Sequence, residues 1–153
     1  MSNSGSGLII KSIESKSTKV VFARFYEGED LLEAVTSTSQ QHNVTSGFFF
    51  LIGTLKRAVL GYYKDGEYEP IEKAGPLEIV SCLGNISVTA EAELVVHGHI
   101  VVSGDDCAAF GGHILHGCLV DATAELVLVA SENGILKRVY DAQKKLNLWA
   151  FNK

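Results

Sequence analysis

His97 and His99 stand two residues apart within Leu94–Val102, a run otherwise made of apolar and mostly β-branched residues around Gly98. Such a run predicts a strand. Side chains two apart on a strand share one face, ~6.6 Å from each other along it, so the two imidazoles can lean onto a single ion. Gly111-Gly112-His113 follows beyond a turn predicted at Ser103-Gly104-Asp105-Asp106. A third histidine arriving on a neighbouring strand would complete a three-histidine site. His-x-His with one distant histidine is a ligand set of catalytic zinc, and it leaves a fourth position for water or substrate. Neutral imidazole also suits iron, nickel or copper, so the pattern predicts a divalent transition metal, zinc first. The competing reading is a set of core or pocket histidines bonded only to backbone and water.

The elements around these residues must position them. Val95, His97, His99 and Val101 occupy one face of the histidine strand, and Leu94, Val96, Ile100 and Val102 the other. Apolar character on both faces predicts a strand covered on both sides, either central or at an oligomer interface. Gly111 and Gly112 would let the backbone pass close to the site or take positive φ. His116 is a tempting fourth ligand. If His113–Val120 is a regular strand, however, His116 faces away from His113 and stays out.

Two more residues could take part in chemistry. Arg24 is the one charge inside Val20–Tyr26, and a charge among apolar neighbours must be paired or reach solvent. It is either one half of a structural ion pair, with Glu78 as a candidate partner, or a pocket residue that orients an anion. Glu78 itself could move protons. These two are the catalytic candidates.

Along the chain, a helix is predicted over about residues 28–43. Glu29, Asp30 and Glu33 lie in its first turn, Asp30 and Glu33 have capping-box spacing, and Asn43 can terminate it. Leu31, Leu32, Val35 and Thr38 form its buried stripe, and His42 sits at its C-terminus. Strands are predicted at Leu8–Ile13, Val20–Tyr26, through Phe48–Tyr63 with a bulge at Gly53, and at Tyr68–Ile71 after a hairpin turn at Lys64-Asp65-Gly66. More follow at Leu77–Leu83, ending in a break at Gly84-Asn85, then at Leu94–Val102, His113–Val120, Ala124–Ala130 and Ile135–Val139. Phe48, Phe49 and Phe50 cannot all point one way, which hints at a second covered face or a subunit contact. One helix among many antiparallel strands gives an α+β domain.

The totals bound the function. At 153 residues, 46% hydrophobic and 20% charged, residues 8–153 form one domain, after a disordered leader or expression remnant at 1–7. A net charge of −5 argues against a cationic nucleic-acid footprint, and no apolar run is long enough to span a membrane. Cys82, Cys107 and Cys118 include no Cys-x-x-Cys pair, and their apolar settings predict buried reduced thiols of a cytoplasmic protein.

Several stretches together resemble one family. They are Arg24 ahead of Gly28-Glu29-Asp30-Leu31, Ser46-Gly47-Phe48-Phe49 with Gly53, Glu78 to Ser87, His97-Gly98-His99 and Gly111-Gly112-His113. In this order they resemble the plants-and-prokaryotes-conserved (PPC) domain over roughly Val20–Tyr140. The resemblance implies a compact α+β domain assembling as a homotrimer, stand-alone in prokaryotes, and some members look like metal-containing proteins. It carries the histidine motif onto His97, His99 and His113. His116 departs from the family, which often has an acidic residue there. In plants the domain follows AT-hooks in DNA-binding proteins, but this chain has no Arg-Gly-Arg-Pro hook, so nucleic acid is not expected as a partner. The implied fold is also similar to that of acetolactate decarboxylase, a zinc enzyme. That likeness raises a metal-dependent lyase or hydrolase of a small carboxylate or carbonyl compound as an alternative to an uncharacterised metal-binding protein, with DNA-associated regulation third.

Overall fold

The computed structural model describes residues 12–151. Its elements are β1 (Ser17–Phe25), α1 (Leu31–Gln41), β2 (Gly47–Lys64), β3 (Glu67–Val88), β4 (Leu94–Ser103), β5 (Ala109–Ile114), β6 (Leu119–Ser131), β7 (Arg138–Asp141) and β8 (Leu146–Trp149). The first six strands form one antiparallel sheet in the order β1-β6-β2-β3-β4-β5. β5 also pairs back onto β2, Leu60 with Ile114 and Gly61 with His113, which curls this part into a small barrel-like sheet. β7 and β8 make a separate hairpin. The fold is therefore mostly antiparallel β with one short helix, the predicted α+β class. The leader predicted at residues 1–7 lies outside the described residues, as does most of the Leu8–Ile13 strand; Ser12 and Ile13 carry no strand.

Local chemistry sets the helix bounds. Asp30 Oδ1 accepts from the N–H groups of Leu32 and Glu33 at 3.0 and 3.1 Å, so α1 begins at Leu31 instead of at Gly28. The predicted capping box is half made, because the Glu33 carboxylate turns to His116 Nδ1 at 3.9 Å. Asn43, at φ 53°, ends the helix as predicted. Ser39 joins Leu31, Val35 and Thr38 on the buried stripe. Its hydroxyl donates to Val35 O at 2.8 Å, so burial leaves no polar atom unpaired.

The long β2–β3 hairpin turns on Asp65 (φ 54°) and Gly66 (φ 100°), two left-handed residues that match the twist of the flanking strands. Gly53, at φ 147°, marks the predicted bulge, where the register slips between Leu51 and Gly53.

The strands predicted at Tyr68–Ile71 and Leu77–Leu83 are parts of the one strand β3, and three further strand boundaries differ from expectation for identifiable reasons. β3 is one strand through Gly84-Asn85, because Gly84 lies opposite Gly98 and the Phe49 ring fills the space that both leave. A Cβ at Gly84 would sit 2.6 Å from Phe49 Cζ, and one at Gly98 2.9 Å from it. The predicted strand His113–Val120 is two strands. Leu115 N–H goes to Val59 O at 3.1 Å, and Gly117 turns the chain at φ 102°. Near the C-terminus, Leu136 N–H is taken by Ser46 Oγ at 2.7 Å, so the regular strand starts only at Arg138, after a single bridge from Lys137 to Val88.

The core lies on the inward face of the sheet, where Phe49, Leu51, Leu55, Ile86, Ile100, Val102, Leu126 and Leu128 are fully buried and α1 adds Leu31 and Val35. Cys82 and Cys118 are buried as expected, but Cys107 sits exposed in the β4–β5 turn. Burial pushes the Cys82 thiol up to about 12. Among the described residues no helix is long and apolar enough to cross a membrane.

Candidate metal centre

β4 is paired on both sides, by β3 and β5, so it is internal to the sheet as predicted. Its covering differs from the prediction. Gly98, Ile100 and Val102 are buried on the inward face, whereas His97 is half-buried and His99 and Val101 are exposed on the outward face. On that outward face Val95 is half-buried and Val101 is left exposed by the described residues.

Register brings the histidines together. His99 pairs directly with His113 across β4 and β5, and His97 lies two residues along the same face. The ring centroids form a nearly equilateral triangle with sides of 5.3 Å (97–99), 5.0 Å (97–113) and 5.4 Å (99–113). One ligand atom from each lies within 4.8 Å of the others. Four-coordinate zinc with bonds near 2.1 Å needs its nitrogens about 3.4 Å apart, so modest rotamer closure would complete the set. The neighbouring glycines serve close approach, since neither has positive φ. A Cβ on Gly111 would stand 2.5 Å from Ile100 O, and one on Gly112 would stand 3.0 Å from Gly61 O.

The surroundings favour neutral rings. Burial, then Arg138 and His99, lower His97 to about 4. Burial, then His97, His99 and Arg138, do the same for His113. Both rings thus keep a free lone pair at neutral pH, the form a metal needs. Tyr68, from the tip of the β2–β3 hairpin, stacks on His113 at 4.2 Å between centroids and 14° between planes, which fixes that ring. His113 Nδ1 is buried with no hydrogen-bond partner, at a cost of about 1–3 kcal/mol. A metal ligated through this atom would remove the cost, so the residues present fit a divalent ion.

The structure adds one residue that the sequence reading passed over. Arg138 opens β7 and is only 8% exposed. Its Nε donates to Ser87 Oγ (2.8 Å), Nη1 to Asn147 O (2.7 Å) and Nη2 to Asn85 Oδ1 (3.0 Å). Nη2 also lies 3.2 Å from His97 Nδ1. The signal was available: Arg138 is a charge beside Val139-Tyr140, the same argument that singled out Arg24.

The other candidates sit elsewhere in the chain. Arg24 is on β1, where its Nε donates to Thr123 Oγ1 at 3.0 Å and its guanidinium lies over Tyr26. Glu78 is on β3, opposite Thr54 and Ser103. Three strand steps, about 14 Å, separate their strands, so the expected ion pair between them does not form. His116 lies in the β5–β6 turn, with its Nδ1 3.5 Å from Asp30 Oδ1 at the start of α1. It is outside the histidine cluster because the chain turns, not because of strand parity.

Residues 12–132 match the Plants and Prokaryotes Conserved (PCC) domain, the family also written PPC. The chain belongs to this family. Among solved structures it is similar to a PPC protein from Pyrococcus horikoshii, with 27% identity, a TM-score of 0.84, and coverage of 94% of this chain and 99% of that one. It is also similar to a metal-containing protein from Archaeoglobus fulgidus, with 27% identity, a TM-score of 0.83, and coverage of 92% and 99%. A bifunctional protein GlmU from Synechococcus is 30% identical over 117 residues, 75% of this chain; the match spans only 17% of that protein's length. Arg138 lies beyond the residues that match the PCC domain.

Proposed function

We propose that this PPC protein binds one divalent transition metal, zinc first, through His97, His99 and His113. The observation that carries this reading is the convergence of three half-buried or exposed imidazoles on one face, with the Nδ1 of His113 left unpartnered. The likeness to an archaeal protein described as metal-containing supports it. When bound, such an ion offers an open position with Lewis-acid character. The chain's own contribution is to keep His97 and His113 neutral by burial and to fix the His113 ring by Tyr68 stacking.

The metal face is also the assembly face in this reading. Phe22, Phe50, Ile52, Val80 and Leu83 stand 50–77% exposed on the outward side of the sheet. Leu83 pairs with His99, so the apolar patch runs up to the histidines. A continuous exposed apolar surface marks an interaction site, and a homotrimer would cover it. A metal-dependent lyase or hydrolase of a small carboxylate or carbonyl compound is the second reading, favoured by the buried guanidinium beside the cluster.

Metal analysis of the purified protein tests the first reading. Near one transition metal per chain in wild type, lost in His97→Ala/His99→Ala, is the expected result. No stoichiometric metal in wild type, or equal metal in the variant, would contradict it. Light scattering should give a three-chain mass, and a monomer would contradict the assembly.

A further inference from the structure

Arg138 combines three properties that the metal reading does not use. It is 8% exposed, it contacts one of the histidines, and no carboxylate lies within ion-pair distance of it among the described residues. A buried unpaired charge is costly. The groups facing it are neutral: Ser87 and Asn85 from β3, His97 from β4, the Asn147 carbonyl from β8 and the Tyr68 phenol, with Trp149 5.9 Å away under the guanidinium.

The hydrogen bond to His97 has a further consequence. A guanidinium only donates, so His97 Nδ1 is the acceptor and the proton of the neutral ring is on Nε2. A metal at His97 ends this arrangement by either route. Ligation through Nδ1 takes the lone pair that Arg138 uses. Ligation through Nε2 moves the ring proton to Nδ1, which can no longer accept. Metal binding therefore frees an Nη2 hydrogen on a buried cation, and a second Nη1 hydrogen already has no partner among the described residues. Imidazole binds a metal in its neutral form, so three histidine ligands would offset none of the charge of the ion or of Arg138.

We propose that Arg138 makes the site a receptor for a small carboxylate, which would take the open position on the metal with one oxygen and the freed guanidinium hydrogens with the other. This rests on the three-histidine reading. The class follows from the donors available. Nε and two of the four Nη hydrogens stay committed to Ser87, Asn147 and Asn85, so two hydrogens remain, enough for the one carboxylate oxygen that a metal would leave free. A phosphate dianion asks for more donors than remain. Metal and carboxylate then bind cooperatively, because each removes a cost that the other leaves.

Cobalt(II) reports this directly, since its visible bands follow changes in coordination. Cobalt is titrated into metal-free protein, and acetate is then titrated into the cobalt form, with inorganic phosphate as a parallel arm. In wild type, acetate should shift the bands saturably and raise cobalt affinity, while phosphate acts more weakly. Arg138→Met should weaken acetate about tenfold or more, the loss of one charge-assisted contact, yet bind cobalt without acetate as tightly as wild type or tighter, because a neighbouring cation is gone. Arg138→Lys keeps the charge without the fork and should fall between them, which covers the case in which Arg138→Met unfolds. A merely structural Arg138 would weaken cobalt and acetate together, and that result overturns the proposal. So does a wild type blind to acetate, including the case in which a carboxylate from a second copy already pairs with Arg138, and so does a stronger response to phosphate. Failure of wild type to take up cobalt, or equal uptake by His97→Ala/His99→Ala, overturns the metal reading and this proposal with it.

Discussion

On the inward face of β4, Gly98, Ile100 and Val102 are almost wholly buried, and the Phe49 ring presses against the first of them. On the outward face of the same strand, His97, His99 and Val101 stand half-buried to exposed beside Tyr68 and Arg138. One face is closed by this chain's own core. The other is only roofed at one end by the β7–β8 hairpin and carries three imidazoles, one of them with a buried Nδ1 left unpartnered. The difference teaches that the stability of this strand and its chemistry are held on separate sides. A change on one face should leave the property of the other largely intact.

That separation can be broken most visibly from the outward side. His99→Ala removes one of the proposed ligands, an exposed side chain, so metal affinity should drop by orders of magnitude in a metal titration, while the thermal midpoint of the metal-free protein barely moves. A joint loss of both would erase the distinction between the faces. From the inward side, Ile100→Ala should cost about 2–5 kcal/mol by denaturant unfolding, as large-to-small core changes do. The folded variant should still bind one metal. Gly98→Ala sharpens the comparison, because its Cβ would meet Phe49 Cζ at 2.9 Å and Ile114 Cδ1 at 3.0 Å. Such overpacking should cost roughly 1–3 kcal/mol, and metal affinity should fall only as far as the strand shifts.

A further effect is on pH. His97 and His113 are lowered to about 4 in the folded protein from an ordinary 6.5. The unfolded chain therefore takes up protons below 6.5 that the folded chain refuses until about 4. Stability of the metal-free protein should be complete above pH 6.5 and decline as pH falls from 6.5 to 4. His97→Ala should flatten part of that slope in urea midpoints measured across the window, and an unchanged slope would show that these rings do not feel the burial.

Much of this arrangement was legible in the residues, and the misses have physical causes. The shared face of His97 and His99 follows from the two-residue period of a strand, and the hairpin at Asp65-Gly66 from the need for two left-handed residues. That His113 would fall directly opposite His99 depends on a register set by the β4–β5 turn, which local pattern does not specify. The apolar outward face of β4 reads as covered because composition shows that a surface avoids water without showing what covers it. Gly84 reads as a break because glycine favours turns, and only the Phe49 ring, opposite it on the neighbouring strand β2, reveals its packing role. Arg138 sits in a four-residue strand whose pairing begins after Leu136 is captured by Ser46, a long-range event, so the charge beside Val139-Tyr140 is its one local mark. Arg24 looked more functional than Arg138 only because its strand is longer and easier to see.

The central claim is that His97, His99 and His113 together hold one metal. X-ray absorption on zinc-loaded protein tests it most directly. The account predicts three imidazole nitrogens and one further light ligand, at about 2.0–2.1 Å. A shell containing sulphur, or one with fewer than three imidazoles, would contradict it.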